Sequence, residues 1–371
     1  MKPDLYLASI SDVHLGHPKT PTQHITSNLA RAFPDGPSTH ALDMIVIGGD
    51  LFDRLLSADQ PEVLQILEWA AGMVMMCERE KIHLVMMEGT PSHDRSQCKM
   101  FDVFKTMGIT KKYFHYITDL SVVRFDDLGV DILFVPDEWR PEPDDTWKEV
   151  VQLLHEQNLT QVDFTILHGT FDFQLPEHIK TARHTLSRYE EITRHYIFGA
   201  HIHIPSVRGK LRVNGSFDRL CHNEEHDKGH WRVKFSPSAK TEERFIVNEN
   251  AMVYKTIDCS GLDVEAALAK VRGEASALRS GSHLRIKANT GEAVLSNLDV
   301  LRKEFPELHW TTKGVELEQV QKNLLVDMRG VYESIQITPS NIVELVLNKM
   351  KTQGIDDVDA QRSVGYLTEF V

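Results

Sequence analysis

The feature that most constrains this chain is a repeated one. Short apolar runs end abruptly in glycine, aspartate or histidine, with helical patterns between them. The runs predict strands at Leu5–Ile10, Met44–Ile47, Ile82–Met87, Leu120–Phe125, Val130–Val135, Phe164–Leu167 and Tyr196–Phe198, with more around Pro205–Val213 and Trp231–Phe235. Runs this short, bounded by turn residues, suit strands better than helices. After Asp59-Gln60-Pro61-Glu62, the apolar residues Val63, Ile66, Leu67 and Ala70 recur at helical spacing. Pro61 fits a first-turn position, and Asp59 with Glu62 has the spacing of a capping box. A second helix is expected near Thr146–His155. Short strands alternating with helices predict an α/β layered domain.

The composition turns polar at Ser236–Glu243, which reads as a linker closing a first domain over residues 1–238. A smaller α+β unit is expected over 244–330: strand Arg244–Ile257, helix Val264–Arg272, strand His283–Ala288, helix Ala293–Phe305 and a strand near His309–Thr312. Residues 331–371 form a helical tail, whose segment SNIVELVLNKMKTQG opens with capping residues and closes on Lys and Gly. Ile342, Val343, Leu345, Val346, Leu347 and Met350 cover most of that helix, so it needs burial on more than one side, on its own chain or on a partner.

Composition narrows the class. The 371 residues suffice for two or three cores, and 41% apolar with 26% charged residues is an ordinary globular balance. No long uncharged apolar segment suggests a membrane span, and the first residues do not read as a signal peptide. The cysteines, Cys77, Cys98, Cys221 and Cys259, form no CxxC pair, which suits a reducing cytoplasm. A net charge of −13 disfavours a general polyanion binder, so nucleic acid would meet a local basic strip or a metal site.

The polar residues that follow the strands carry the chemistry. SDVHLG offers Asp12 and His14, GGDLFDR offers Asp50, Asp53 and Arg54, and GTPSHD offers His93 and Asp94. DFTILHGT ends at His168, and YIFGAHIH ends at His201 and His203. In an open α/β sheet, ligands bind at the carboxyl ends of the strands. In extended chain, residues two apart point the same way, so Asp12/His14 and His201/His203 can each serve one locus. Burying so many polar groups together without a metal is costly. A mixed Asp/His set suits Mn²⁺, Fe²⁺ or Zn²⁺ better than Mg²⁺ or Ca²⁺, and it exceeds the needs of one ion. Two ions bridged by Asp50 predict in-line phosphoester hydrolysis.

In this order, DVH, GDLFDR, SHD, LHG and GAHIH resemble the motifs of the calcineurin-like metallophosphoesterases. GDLFDR, the run NGSFDRLCHNEEHDKGHWRV and the small unit after it are similar to the Mre11/SbcD nuclease group. The resemblance covers residues 4–235 by motif and the rest by layout. It implies a layered sandwich of two β-sheets flanked by helices, with a DNA-capping domain and a C-terminal helical tail. It further implies that Asp12, His14, Asp50 and His203 hold one ion, Asp50, His168 and His201 hold a second, and His93 is the catalytic histidine. The resemblance also implies that Asp53 sits behind the ligands, orienting them or His93 by hydrogen bonds. Asp94 does so too, or caps the segment RSQCKMFDVF. The family usually reads GNHD or GNHE, whose Asn is a ligand. Here Thr90-Pro91-Ser92 stands between Gly89 and His93, leaving Ser92 or Thr90 to substitute.

The function expected is therefore a DNA nuclease using two Mn²⁺ ions (Mg²⁺ or another divalent ion in their place), with exonuclease or endonuclease activity in DNA repair or recombination. The resemblance implies a homodimer through helices of the nuclease domain, with Gln60–Cys77 a candidate whose apolar stretch core packing explains equally well, and an SbcC/Rad50-like coiled-coil ATPase docked on Asn341–Lys351, with Gly354–Val371 extending the contact. The alternatives are a stand-alone phosphatase or phosphodiesterase, which the acidic charge suits, and a non-catalytic metal-binding scaffold, which the missing Asn suggests.

Overall fold

The computed structural model describes residues 4–136, 140–176, 178–179, 181–236, 241–289 and 291–314. The expected helix at Asn341–Lys351, the tail around it and residues 315–330 of the small unit lie outside them. The first strands are β1 (Leu5–Ile10), β2 (Met44–Ile47), β3 (His83–Met87) and β4 (Phe114–Ile117). Next come β5 (Ser121–Phe125), β6 (Val130–Val135), β7 (Val162–His168), β8 (Thr193–Ala200), β9 (Ser206–Arg208) and β10 (Leu211–Val213). The last are β11 (Gly229–Phe235), β12 (Glu242–Val247), β13 (Tyr254–Asp258), β14 (His283–Ala288) and β15 (His309–Gly314).

Two six-stranded mixed sheets form the larger part, in the orders β12-β11-β1-β2-β3-β4 and β5-β6-β7-β8-β10-β9. β1 to β4 run parallel, as do β6, β7 and β8. The sheets face each other across one core, where Leu7, Val46 and Val85 meet Ile132, Phe164 and Phe198. Alternate residues point the opposite way. On the outer face of the first sheet, Ile10, Ile45 and Leu84 pack with Ile25, Leu29, Ile66 and Met73 of helices Thr22–Ala32 and Pro61–Glu80. On the outer face of the second, Leu133, Leu167 and Ile197 pack with Val150, Leu154 and Leu186 of helices Pro143–Glu156 and Leu186–Ile192. Strands covered on both faces are mostly apolar, so β2 is an unbroken apolar run and β3 is apolar from Leu84 to Met87. Each fully buried side chain such as Phe164 contributes about 1.5–3 kcal/mol.

The structure corrects several expectations. The strand expected at Arg244–Ile257 is two strands: β12 pairs antiparallel with β11 in the first sheet, and β13 joins the small sheet. The boundary thus follows β12, and the polar stretch near Ser236 lies between two strands of one sheet. The small unit is α/β rather than α+β, because β13, β14 and β15 are all parallel. Parallel neighbours need crossovers, supplied here by helix Val264–Ser276 and by helices Ala293–Ser296 and Leu298–Glu304. Asp59 and Glu62 form no capping box; Gln60 is the N-cap without a side-chain bond, and Pro61 takes the first helical position. In that helix Val63, Ile66, Ala70, Met73, Val74, Met76 and Cys77 are buried, so core packing accounts for most of its apolar character. Leu64 remains exposed, at 73%, and Met75 at 49%. All four cysteines are free. No helix among the described residues is long and apolar enough to cross a membrane.

Candidate metal centre

Because β1, β2 and β3 are parallel neighbours, the loops after them emerge side by side, and β7 and β8 do the same in the facing sheet. The chain leaves these strands through unusual turns. Asp12 (φ 50°), His14 (φ 56°), Asp50 (φ 49°) and His201 (φ 78°) all occupy the left-handed region. For residues with a Cβ this conformation costs about 1–3 kcal/mol each, and such outliers concentrate at functional sites. Backbone bonds between the first two loops maintain it: Asp12 N donates to Gly49 O (3.0 Å) and Val13 N to Asp50 O (2.8 Å).

The donors converge in three overlapping groups: Asp12, His14 and His203; Asp50, His168 and His201; and His14, Asp53 and His93. Within each group the donor atoms lie within 4.8 Å of one another. Ligands ~2.0–2.2 Å from a common ion are separated by at most ~4.4 Å, so the groups have nearly the spacing of coordination shells before closure. His14 Nε2 is 3.1 Å from His203 Nε2, and His203 Nε2 is 3.7 Å from Asp12 Oδ1. Asp50 Oδ2 lies 3.4 Å from His168 Nε2 and 4.0 Å from His14 Nε2, which places its carboxylate between the first two groups. The buried Nδ1 of His14 lies 3.3 Å from Asp53 Oδ1, which leaves Nε2 toward His203 and Asp50. This mixed carboxylate and imidazole donor set fits divalent metal ions.

Neighbouring groups fix how each donor faces. His168 Nδ1 donates to Gly48 O (2.9 Å), leaving Nε2 toward Asp50. Asp12 Oδ2 accepts from Ser11 Oγ (2.5 Å), and both its oxygens accept from the amide of His201. His93 Nδ1 donates to the carbonyl of Asp53, which leaves Nε2 for the cleft. Burial opposes ionisation of Asp50, but the imidazoles of His168, His14 and His93 overcome it and hold the carboxyl below the usual range. Arg54 ties the first two loops together through Gly16 O (3.1 Å).

Asp94 does not cap the following segment, whose N-cap is Ser96. Its fully buried carboxylate accepts from Phe52 N (3.0 Å) and Gly89 N (2.8 Å), stapling the loop after β3 to the loop after β2. Burial and the charge of Asp50 push this carboxyl up to about 7. Gly89 sits so close that a Cβ would collide with the amide and carboxylate of Asp50. Thr90 comes next, beside Asp50 and His168. Its amide donates to Asp50 Oδ1 (2.6 Å), its hydroxyl to Asp50 Oδ2 (3.1 Å), and the hydroxyl is 3.5 Å from His168 Nε2. Ser92 is exposed and does not line the cleft, so its expected role as substitute ligand is set aside in favour of Thr90. The three residues between Gly89 and His93 carry Ser92 outward, while His93 returns to the cleft.

A cleft of about 370 Å³ exposes the site, lined by His14, Asp50, Asp53, Thr90, His93, His201 and His203. His17, Leu220 and Cys221 also line it, and sequence reasoning had not singled them out. Nor had it assigned Glu224 and Lys228. Glu224 Oε1 accepts from His203 Nδ1 (2.7 Å), aiming the other ring nitrogen at Asp12 and His14. Burial opposes its ionisation, yet His203 and Lys228 hold the carboxyl below its usual range. Lys228 is fully buried, 3.0 Å from Glu224 Oε2, and donates to Ser216 Oγ (2.6 Å) and His203 O (2.9 Å). The available signal was the Glu/Lys pair four residues apart inside NGSFDRLCHNEEHDKG, with no helical pattern to explain it.

No protein-family model and no curated protein matches the chain. Among solved structures, one crystal structure aligns with 66% of this chain and 99% of its own, at 10% identity and a TM-score of 0.36. A likeness that low carries no argument.

Proposed function

We propose that the chain is a two-metal phosphodiesterase acting on DNA, of the Mre11/SbcD nuclease type. The observation that carries this reading is the position of the Asp50 carboxylate, between His168 on one side and His14 on the other. Asp12, His14, Asp50 and His203 would hold one ion, and Asp50, His168 and His201 the other, with Thr90 beside the second set. Bound there, Mn²⁺ or a similar ion neutralises a phosphate and activates water at neutral pH. The chain's own contribution is orientation. The His168 and His203 rings are fixed through Nδ1, and Asp12 and Asp50 are fixed by backbone amides. His93, whose Nδ1–H donates to the Asp53 carbonyl, presents Nε2 to the cleft; in its imidazolium form Nε2 would give its proton to the leaving oxygen, leaving the neutral Nδ1–H ring.

The small parallel sheet beside the cleft and the motif run from Asn214 to Val233 favour DNA over a small phosphomonoester. A homodimer, with exposed Leu64 and Met75 on one helix, and a coiled-coil ATPase bound by Asn341–Lys351 belong to the same proposal. Purified protein with Mn²⁺ should degrade linear double- or single-stranded DNA, and Asp50→Ala and His93→Ala should each abolish degradation. Turnover of a phosphate monoester with intact DNA would instead assign a stand-alone phosphatase. Metal binding with no turnover of either would assign a scaffold.

A further inference from the structure

We propose that His17 contacts substrate, presenting an Nε2–H donor to a phosphate oxygen in the cleft, and that the small sheet holds it in place. This rests on the phosphodiester reading above. The ring's protonation pattern follows from its bonds. The amides of Lys19 (3.2 Å) and Thr20 (2.9 Å) both donate to His17 Nδ1. A ring nitrogen that accepts carries no proton, so the neutral imidazole has its N–H at Nε2. Burial favours that neutral form. The ring lines the same cleft as His14, Asp53, His93 and His203. Among these, His14 and His203 direct Nε2 at each other, and His93 is the proton donor of the proposed mechanism. His17 adds a neutral donor not committed to the ligand groups.

A turn needs only an acceptor, which Asp, Asn or Ser supplies. What histidine adds is a donor on the far side of the ring. The turn is also held from outside at the two residues whose amides grip that ring. Thr20 Oγ1 donates to Arg219 O (2.8 Å), so Tyr254 must donate its hydroxyl to Thr20 Oγ1 (3.0 Å). His283 Nε2 meets Lys19 O at 3.2 Å. Tyr254 and His283 are cross-strand partners on β13 and β14, stacked with centroids 4.4 Å apart at 7°. The small unit thus grips the first loop of the cleft through one stacked pair.

Asparagine and glutamine separate the two roles of the ring. His17→Asn keeps an acceptor near the place of Nδ1 and lacks a donor near Nε2, whereas His17→Gln offers an amide N–H near Nε2 and no acceptor near Nδ1. Each variant and the wild type are assayed with Mn²⁺ against bis(p-nitrophenyl) phosphate, and binding of Mn²⁺ and of inorganic phosphate is measured by calorimetry. Loss of one hydrogen bond to a charged oxygen predicts a drop of about 10- to 100-fold in kcat/KM and in phosphate affinity for His17→Asn. Mn²⁺ affinity and Tm should be unchanged, and His17→Gln should retain more of both lost quantities. Wild-type phosphate affinity in His17→Asn, or greater damage in His17→Gln than in His17→Asn, overturns the inference. Wild-type protein that binds Mn²⁺ and phosphate but does not turn over diester overturns the functional reading alone, since the phosphate measurement still decides the role of His17.

Discussion

Removing the Glu224 carboxylate tests how the site is held. It accepts from His203 Nδ1 (2.7 Å), Ser216 Oγ (3.1 Å) and the amide of Leu220 (3.1 Å), and it neutralises Lys228 (3.0 Å), which is 0% exposed. Glu224→Ala leaves that ammonium with only neutral acceptors, Ser216 Oγ and His203 O. Stranding one partner of a buried pair costs about 3–5 kcal/mol, and at ~2–4 °C per kcal/mol for a large domain Tm should fall by roughly 6–20 °C. The double variant Glu224→Leu/Lys228→Met removes both charges and should regain most of this loss. Orientation is a separate matter. With the bond to His203 gone, Mn²⁺ affinity should fall ~10- to 100-fold in both variants. Calorimetric titration with Mn²⁺ and thermal melts of the metal-free proteins measure the two effects independently. A double variant that melts near wild type and binds Mn²⁺ with wild-type affinity would refute the orienting role. A Glu224→Ala protein melting within a degree or two of wild type would refute the stranded-charge argument.

Thr90→Ala should weaken binding of the second Mn²⁺ by roughly 10-fold, as expected for a group beside the ligands, while Ser92→Ala, altering an exposed side chain, should leave titration curves unchanged. Gly89→Ala should abolish diester turnover, because the added methyl displaces the Asp50 carboxylate; unchanged kinetics would show that the loop after β3 yields freely. Burial pushes His230 down to about 3, so the unfolded chain takes up a proton below pH ~6.5 that the folded chain refuses. Stability should therefore fall as pH drops from ~6.5 toward 3, by up to ~1.4 kcal/mol per pH unit from this group, and His230→Gln should flatten the profile of Tm against pH by that share. EDTA treatment should lower Tm, and restoring Mn²⁺ should raise it by several degrees, since ligand bound only to the folded state stabilises it.

The sequence by itself determined the strands that carry the site and the side chains that cap them. β1, β2, β3, β7 and β8 pack on both faces, so their carboxyl-terminal halves are mostly apolar, and an Asp or His at or just beyond their ends stands out. The edge strand β4 is partly exposed, lacks that signature and escaped notice. Tertiary structure alone decided the rest. Whether Thr90 or Ser92 stands beside Asp50 depends on how the loop between Gly89 and His93 folds against another loop. β12 joins the first sheet because β11 offers it an edge, whatever the polarity of the residues between them. Glu224 and Lys228 acquire meaning only where a buried ammonium must find a carboxylate and that carboxylate reaches His203. The tautomer of His17 is set by amides that Tyr254 and His283 hold from more than two hundred residues away. Residue chemistry and burial are local and leave their mark in composition, whereas loop placement, charge pairing and proton position arise from contacts between distant segments that form only when the chain has folded.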